Sequence, residues 1–397
     1  MQIVRANKFR LYPSAKQKQI LHEIFGSSRF VFNQVLGMIQ NKEFGQVKTK
    51  QNKVVSRIPA QTELINSLTQ IKENHQFLYS RPNDLLQSSL SDLHAACQKF
   101  YKGAGFPKFK SRKSKHQSIE MKAGSRIKLN GNSVILPIPR NGIWTKDDLM
   151  IPFKSHKTKR ILPNKLVKYT ISKDNLNKYW ISFSYKIDVV ENPKSTKKSV
   201  GIDLGIQDLV ICSDGSVFGN QKLTKKSSKK LRFHQKSMSR KKKFGHNWNK
   251  SKIKVAKIHK KIANQRNFRN HDISSKLVKK YDFIILESLK IKNMMQNRKL
   301  SKSIADASWF DLISKIRYKM TEKQGHFHQI DTWFPSSQTC SNCGSITKMP
   351  LKIREYRCLD CGMTKERDLN AAINIHHQGC IELGMNPPEL IKIKPFA

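Results

Sequence analysis

The sequence predicts a multidomain α/β protein, and three patterns carry that prediction. Short alternating runs punctuated by Gly, Pro and Asn fill residues 118–190 and indicate antiparallel strands. Beyond residue 196, a buried-strand pattern follows a long helical pattern, as is typical of α/β architecture. Two Cys-x-x-Cys pairs near the C-terminus indicate a small metal-bound insertion. The length of 397 residues leaves room for about two to four domains.

The composition indicates a polyanionic partner. The chain has 76 Lys and Arg against 28 Asp and Glu, a formal net charge of +48. Phosphates offset such self-repulsion and release counterions on binding, so nucleic acid is the expected partner. Lysine-rich usage in an AT-biased genome is the competing explanation. The sequence shows no signal peptide and no run near the about 20 apolar residues of a membrane span, so we expect a cytoplasmic, nucleoid-associated protein with no membrane partner.

The first half of the chain combines strands with helices. Residues 4–12 alternate basic and apolar side chains and stop at Pro13, and Ser14 is then placed as a helix N-cap. Helical spacing of apolar residues recurs through residue 101. We therefore predict a helical module at 14–104, inserted between the opening strand and a small antiparallel barrel or sandwich that ends near residue 195.

A basic block with no acidic residue extends from Asp214 to Asp272. Val255, Ile258 and Ile262 form a narrow apolar stripe in it, which predicts a long amphipathic helix with basic outer faces. A solvated charged face is the simplest interpretation of such a run. Because all the charged side chains between these two acids are positive, contact with nucleic acid is favoured instead.

Three carboxylates are candidates for a metal-dependent site. Strand alternation places Asp203 between two glycines in the segment 201–205, which predicts open space for a metal ion and a phosphate. Glu287 ends an apolar strand preceded by a separate helix that begins near Asp272, and Asp368 lies in the first turn of an alanine-bearing helix. If the strands are neighbours, the acids converge and suit two divalent cations. Spacing does not exclude three unrelated acids.

Four of the seven cysteines form two matched pairs, each followed by glycine. Cys340 and Cys343 make the first pair, Cys358 and Cys361 make the second, and fourteen residues separate the pairs. Two such turns predict a closed tetrahedral zinc site with a structural role. A redox function needs only one Cys-x-x-Cys pair, so the presence of two matched pairs argues against it. Contact between this insertion and nucleic acid stays open, and the remaining cysteines are expected to be core thiols.

In chain order, these motifs resemble the TnpB family. The resemblance rests on GIDLG at 201–205, ILESL at 285–289, FPSSQTCSNCG at 334–344, the second CxxCG at 358–362 and RDLNAA at 367–372. KFRLYP at 8–13 and IANQR at 262–266 are similar too. The chain differs from the common family pattern at Ser288 and Glu366, and neither change removes a predicted metal ligand.

The resemblance implies an RNA-guided DNA endonuclease of an insertion sequence, related to type V CRISPR effectors. Its catalytic and Mg²⁺-binding acids fall on Asp203, Glu287 and Asp368. The implied domains are a wedge-like β-barrel (1–13 and 105–195), a helical recognition domain (14–104), an RNase H-like RuvC nuclease domain (196–334 and 366–385), a zinc-finger insertion (335–365) and a C-terminal tail (386–397).

The implied cofactors are two Mg²⁺ ions, replaceable by Mn²⁺, and a structural zinc. The implied partners are a guide (omega) RNA from the transposon end, one per protein chain, and double-stranded target DNA beside a short motif. We expect both strands to be cut in turn, leaving 5′ phosphates. The residues predicted to contact nucleic acid are Lys8, Arg10, Lys241, Lys242, Lys243, Arg266 and Arg354.

Other classes of function remain as alternatives. An RNA-guided repressor would bind the same partners without cleavage, as in relatives that have lost catalytic acids, whereas this chain keeps all three. A transposase would need a His pair with a nucleophilic Tyr, and the adjacent His376 and His377 are interpreted as incidental. A guide-free resolvase would not need the helical module and the barrel.

Overall fold

The computed structural model forms two compact units, Gln2–Asp188 and Val189–Ala397. It describes residues 2–42, 46–48, 54–56, 59–114, 117–122, 127–139, 141–142, 144–154, 166–189, 198–350 and 353–385. The predicted tail, 386–397, lies outside these residues.

The unit Gln2–Asp188 is built on a seven-stranded sheet of half-barrel type. The unit's strands are β1 (Gln2–Leu11), β2 (Gln46–Lys48), β3 (Val54–Ser56), β4 (Gln117–Lys122), β5 (Lys128–Asn130), β6 (Ser133–Ile135), β7 (Met150–Lys154), β8 (Leu166–Lys173) and β9 (Tyr179–Asp188). The sheet order is β4-β8-β9-β1-β7-β6-β5 with antiparallel pairing, and β2 and β3 form a separate hairpin.

The opening strand pairs with the last strand of this unit along its whole length, from Gln2 opposite Asp188 to Leu11 opposite Tyr179. This confirms that the two join one sheet although the helical segment lies between them in sequence. The period of two in β9 is also confirmed, because Ile181 and Phe183 are fully buried while the alternating Trp180 is partly exposed.

The helices of this unit cover one face of the sheet and pack on one another. They are α1 (Ala15–Gln40), α2 (Gln61–Asn74), α3 (Asn83–Tyr101) and the short α4 (Lys146–Leu149), with a 3₁₀ helix at Gln76–Ser80. Ser14 is the N-cap of α1, as predicted, and forms a capping box with Gln17. The first half of α1 packs on the sheet through residues such as Ile24, and its second half packs on α2 and α3 through residues such as Val35.

The second unit is a five-stranded sheet with helices on both faces. Its elements are β10 (Ser199–Asp203), β11 (Asp208–Cys212), β12 (Val217–Gly219), α5 (Leu223–Ser239), α6 (His246–Lys280), β13 (Phe283–Glu287), α7 (Ile291–Met294), α8 (Ser301–Ala307), α9 (Trp309–Lys323), β14 (His326–Ile330), β15 (Glu355–Arg357), β16 (Thr364–Glu366) and α10 (Arg367–Glu382). The order is β12-β11-β10-β13-β14, in which β10, β13 and β14 are parallel.

One expectation about the helices is wrong. The separate helix predicted to begin near Asp272 is the last part of α6, which runs unbroken from His246 to Lys280. No Gly or Pro lies between these ends, and Asp272 pairs with Lys276 on the helix surface instead of capping it. The predicted stripe is confirmed, since Ile258 and Ile262 are buried. No helix among the described residues is long and apolar enough to cross a membrane.

The two faces of the five-stranded sheet are covered by different helices. Val200, Ile202 and Leu204 point into a core shared with α6, α8 and α9. The opposite face of β10 carries α10, whose Ala371 and Ala372 are buried. The small alanines therefore allow close helix–sheet contact, as the sequence predicts.

Candidate active site and cysteine knuckle

The fold brings two of the predicted acids to one edge of the sheet. Asp203 is the last residue of β10 and Glu287 is the last residue of β13. These strands are parallel neighbours with Ile202 opposite Leu286, so the two acids follow at the same carboxyl edge. Asp368 is the second residue of α10, the helix packed on this sheet.

The acids influence one another electrostatically. Burial raises the pKa of Asp203 to about 8, with further contributions from the negative charges of Glu287 and Asp368. Burial also raises the pKa of Glu287. Among groups of three or more His, Cys, Asp and Glu residues in the described part of the chain, only the four cysteines have ligand atoms that all lie within 4.8 Å of one another. The three carboxylates are therefore close enough to affect one another's charge, but their oxygen atoms lie farther apart than the four cysteine Sγ atoms do.

Asp368 already has a basic partner. Arg354 Nη1 lies 3.2 Å from Asp368 Oδ2, and the side chain of Arg354 remains 60% exposed. The sequence predicted Arg354 as a nucleic-acid contact, and the structure places its guanidinium on the third acid. The hairpin β15–β16 brings residues 354 and 368 together. No local sequence pattern could therefore have predicted this pair.

The glycines beside Asp203 do not provide open space, so that interpretation is wrong. A Cβ atom on Gly201 would lie 2.3 Å from the carbonyl oxygen of Ala372, and one on Gly205 would lie 2.4 Å from that of Asp208. Backbone of the same chain fills both positions. Gly201 is needed because α10 crosses β10 at this point, which fixes the helix that carries Asp368.

The four cysteines form one cluster, as predicted. The Sγ atoms of Cys340 and Cys361 are 3.6 Å apart, as are those of Cys343 and Cys358. Cys340 and Cys358 are buried, and the other two are exposed. Although burial opposes it, hydrogen bonds from Ser345 and from backbone N–H groups lower the pKa of Cys358 to about 6. Four thiolates at these distances are suited to tetrahedral zinc. We call residues 339–350 and 353–366 the cysteine knuckle.

Two buried asparagines that the sequence analysis missed tie the knuckle to α10. Asn370 Oδ1 accepts from the backbone N–H of Ser341 at 2.9 Å, and its Nδ2 donates to the carbonyl of Thr339 at 2.7 Å. Asn374 Nδ2 donates to the carbonyls of Thr339 and Ser336 at 2.6 and 2.8 Å. Their spacing of four residues among alanines was the available signal, since a buried helix face rarely carries amides without partners.

The remaining thiols and His376 lie inside the packed chain. Cys97, Cys212 and Cys380 are buried, as expected. His376 is buried and its Nε2 lies 2.7 Å from Ser199 Oγ, so it joins α10 to the start of β10.

Lys8 and Arg10 lie on the same strand beside an aromatic ring. Lys8 Nζ is 5.5 Å from the ring centre of Trp180, and Arg10 Cζ is 5.5 Å from it. Trp180 Nε1 donates to Asp174 Oδ2 at 3.1 Å, which orients the indole. Two cations beside one aromatic ring form a surface suited to a nucleic-acid backbone and its bases.

The predicted contacts in the basic block have different surroundings. Lys241, Lys242 and Lys243 lie in the connection between α5 and α6, where the last two are exposed. Arg266 points inward instead, with Nη2 at 2.8 Å from the buried Asp306 and a second bond to Thr224. We therefore assign Arg266 to the packing of α5, α6 and α8 and leave it out of the surface that contacts nucleic acid.

These features define a class: an α/β unit with acids at the ends of parallel strands, an inserted cysteine knuckle and a separate half-barrel unit. Three family models match the chain. "Probable transposase" (OrfB_IS605) matches residues 182–298, "Cas12f1-like, TNB domain" matches 309–375 and "Helix-turn-helix domain" (HTH_OrfB_IS605) matches 1–42. In the structure, the last stretch contains β1 and the single helix α1.

Similar proteins extend over nearly the whole chain. A Streptomyces pristinaespiralis protein named "Putative RNA-guided DNA endonuclease" is 32% identical over 94% of this chain and 89% of its own length. The Escherichia coli K12 protein "Putative RNA-guided DNA endonuclease InsQ" is 29% identical over 94% of this chain and 92% of its own. The chain belongs to the TnpB family.

A solved structure shares the fold. The cryo-EM structure of a Cas12f1–sgRNA–target DNA complex matches 94% of this chain and 99% of the Cas12f1 chain, with a TM-score of 0.52 and 13% sequence identity. At this identity the likeness is one of fold, and it supports a multidomain α/β architecture of the Cas12f type.

Proposed function

We propose that this chain is an RNA-guided DNA endonuclease. The observation that carries the proposal is the placement of Asp203 and Glu287 at the ends of adjacent parallel strands, packed against the helix that carries Asp368 in its first turn. The names and the length coverage of the Streptomyces and Escherichia relatives support the same activity.

The domain roles follow from the fold and the family. We assign a RuvC-type nuclease domain to 196–334 and 366–385 and a zinc finger to 335–365. A wedge-like barrel at 1–13 and 105–195 and a recognition domain at 14–104 complete the assignment. The parallel strands β10, β13 and β14 support the first role, and the cysteine cluster supports the second.

The donor set fits Mg²⁺ or Mn²⁺. Asp203, Glu287 and Asp368 offer carboxylate oxygens, which hard divalent cations prefer. Burial and the negative charges of Glu287 and Asp368 raise the pKa of Asp203, so a bound cation would favour its ionised form. When bound, two such ions would activate the attacking water and stabilise the leaving 3′ oxygen. The three side chains would hold the ions, and Arg354 would then be released from Asp368 toward a phosphate.

The other partners follow from charge. A guide RNA from the transposon end, one per chain, and a target duplex would distribute over the +48 charge, with Lys8, Arg10 and Lys241–Lys243 among the contacts. Zinc in the cysteine knuckle would leave no position for substrate and would stabilise α10 through Asn370 and Asn374.

The proposal is tested with the protein and its copurified RNA. Sequencing that RNA identifies the guide, and plasmids with and without a matching target are then incubated with Mg²⁺. We expect cleavage of the matched plasmid alone, lost in Asp203→Ala and retained in the control Asp272→Ala, which removes an exposed acid on α6. Cleavage by Asp203→Ala at the wild-type rate would refute the site. Guided binding without cleavage by the wild type would establish the repressor instead.

A further inference from the structure

A cavity of about 830 Å³ lies along α1, and all of its lining residues belong to the unit Gln2–Asp188. One face of α1 forms its floor, and Phe77, Arg81 and Phe109 contribute to its walls. We call it the α1 pocket. Its volume is within the range of about 300–1,000 Å³ that small-ligand sites occupy.

The face of α1 that lines the pocket differs from an ordinary solvated helix face. Gly26, Phe30, Gln34 and Gly37 follow one another at intervals of three or four residues and so share one side of the helix. Glu23 and Arg29 are the charged α1 residues that line the pocket, and the other α1 residues of its lining are uncharged. Solubility alone would favour more charged side chains here.

Packing does not explain the two glycines. A Cβ atom on Gly37 would meet nothing within 4 Å, and one on Gly26 would meet only Arg29 Nη2, at 3.9 Å. Glycine is a poor residue for a helix interior, so each weakens α1 without relieving a clash in the described chain. Close approach of a ligand to the helix backbone is the remaining use of a missing side chain.

The walls of the pocket are aromatic and held in place. The rings of Phe30 and Phe77 meet edge to face at 5.5 Å. Phe109 is 54% exposed at the rim, and Asn33 fixes its segment by accepting from the N–H of Lys110 at 2.8 Å and donating to its carbonyl at 2.9 Å. Exposed aromatic rings on an anchored segment offer faces for stacking.

The described residues that line the pocket carry a net positive charge. Among them Glu23 is the only acid, and it is neutralised by Arg81, whose Nη2 lies 3.0 Å from Glu23 Oε2. Arg29 therefore contributes a net positive charge to this lining. Burial, together with the nearby positive charge of Arg112, lowers the pKa of Arg29, so a bound anion would relieve unfavourable interactions there.

We propose that the α1 pocket binds one unpaired nucleotide of a nucleic-acid strand. Its base stacks against Phe30, Phe77 or Phe109, its phosphate lies at Arg29, and its backbone passes over Gly37. Unpaired bases are recognised by this combination of aromatic faces, amides and arginine, whereas bases inside a duplex cannot present their faces. The strand belongs to the guide RNA or to separated DNA. The inference rests on the proposed nucleic-acid-binding function but not on cleavage.

Photocrosslinking without divalent cations tests this proposal. The full chain is irradiated with 5-bromouracil-substituted single-stranded RNA, single-stranded DNA or duplex DNA, and crosslinked peptides are mapped by mass spectrometry. We expect crosslinks at Phe30, Phe77 or Phe109 with single-stranded nucleic acid. Whichever of the single-stranded RNA and the single-stranded DNA crosslinks more efficiently identifies the kind of strand that the pocket binds. Gly37→Leu fills the pocket and should lower the yield about tenfold, a loss typical of one stacked base.

Two further variants keep the test decisive. Gln40→Leu places the same side chain on an exposed position of α1 outside the pocket and should leave the yield unchanged. Phe109→Leu replaces an exposed ring and should lower the yield even if Gly37→Leu fails to fold. No crosslink at these rings, equal yields for wild type and both pocket variants, or crosslinks with the duplex alone would overturn the proposal. A chain that cleaves DNA but gives one of these results refutes the pocket and leaves the nuclease assignment intact.

Discussion

One added methyl group on Gly201 tests the packing that positions Asp368. The new Cβ atom would lie 2.3 Å from the carbonyl oxygen of Ala372 and 2.5 Å from the backbone nitrogen of His376, whereas ordinary contact begins near 3.4 Å. These are backbone atoms, so they cannot rotate away as a side chain would, and α10 must move from β10 by about 1 Å to restore ordinary contact. Overpacking of this kind costs about 1–3 kcal/mol.

We therefore expect Gly201→Ala to lower the free energy of unfolding by about 1–3 kcal/mol. It should also slow DNA cleavage about 100-fold, because a 1 Å misplacement of a reacting group has effects of about that size. Gly219→Ala is the matched control, since its Cβ atom would meet only Asp208 Oδ1, at an ordinary 3.8 Å. Urea unfolding followed by circular dichroism and plasmid cleavage rates measure both effects. A Gly201→Ala protein as stable and active as Gly219→Ala would refute the reasoning.

Three further variants test other parts of the structure. Cys343→Ser should lower the zinc content measured by mass spectrometry below one ion per chain and lower the melting temperature, and an unchanged zinc content would contradict the knuckle assignment. Asn374→Ala removes a donor to the carbonyls of Ser336 and Thr339, of which Thr339 keeps its bond from Asn370, and should cost about 1–3 kcal/mol. Amide exchange in the knuckle should become faster, and exchange at the wild-type rate would argue against this anchor. Burial opposes ionisation of Asp214, but hydrogen bonds from Lys280 and Tyr281 hold its pKa well below the usual range. This stabilisation is complete above the unfolded pKa of about 4 and is lost as the pH falls toward the folded pKa. Tyr281→Phe should therefore lower the free energy of unfolding by about 1 kcal/mol at pH 7 and by less at about pH 3. An equal loss of stability at both pH values would contradict a contribution from ionised Asp214.

Periodicity predicted much of the fold because burial on one face leaves a local signal. The period of two in β9 placed Ile181 and Phe183 in the core, and the capping pattern placed the start of α1 at Ser14. The continuity of α6 was missed because Asp favours helix N-caps in isolation. Packing of both halves of α6, through Ile262 and Leu277, outweighs that local preference.

The sequence predicted the part of the candidate site that depends on where strands end, and no more of it. Parallel strands bring their carboxyl ends to one edge, so Asp203 and Glu287 were expected to meet there if the strands were neighbours. The function of Gly201 depends on which helix covers the strand, and no local pattern contains that information. The pairing of Arg354 with an acid likewise depends on tertiary folding. A basic residue's partner is not encoded in its neighbours.

The central claim is that the three acids act as one catalytic site on DNA that the guide has already selected. The most direct measurement compares guided DNA binding and cleavage in Glu287→Gln, which keeps the shape of the side chain and removes its charge. We predict wild-type binding to the matched target, with cleavage reduced by a factor on the order of 10²–10⁴. Cleavage at the wild-type rate by a correctly folded, target-bound Glu287→Gln protein would contradict the claim.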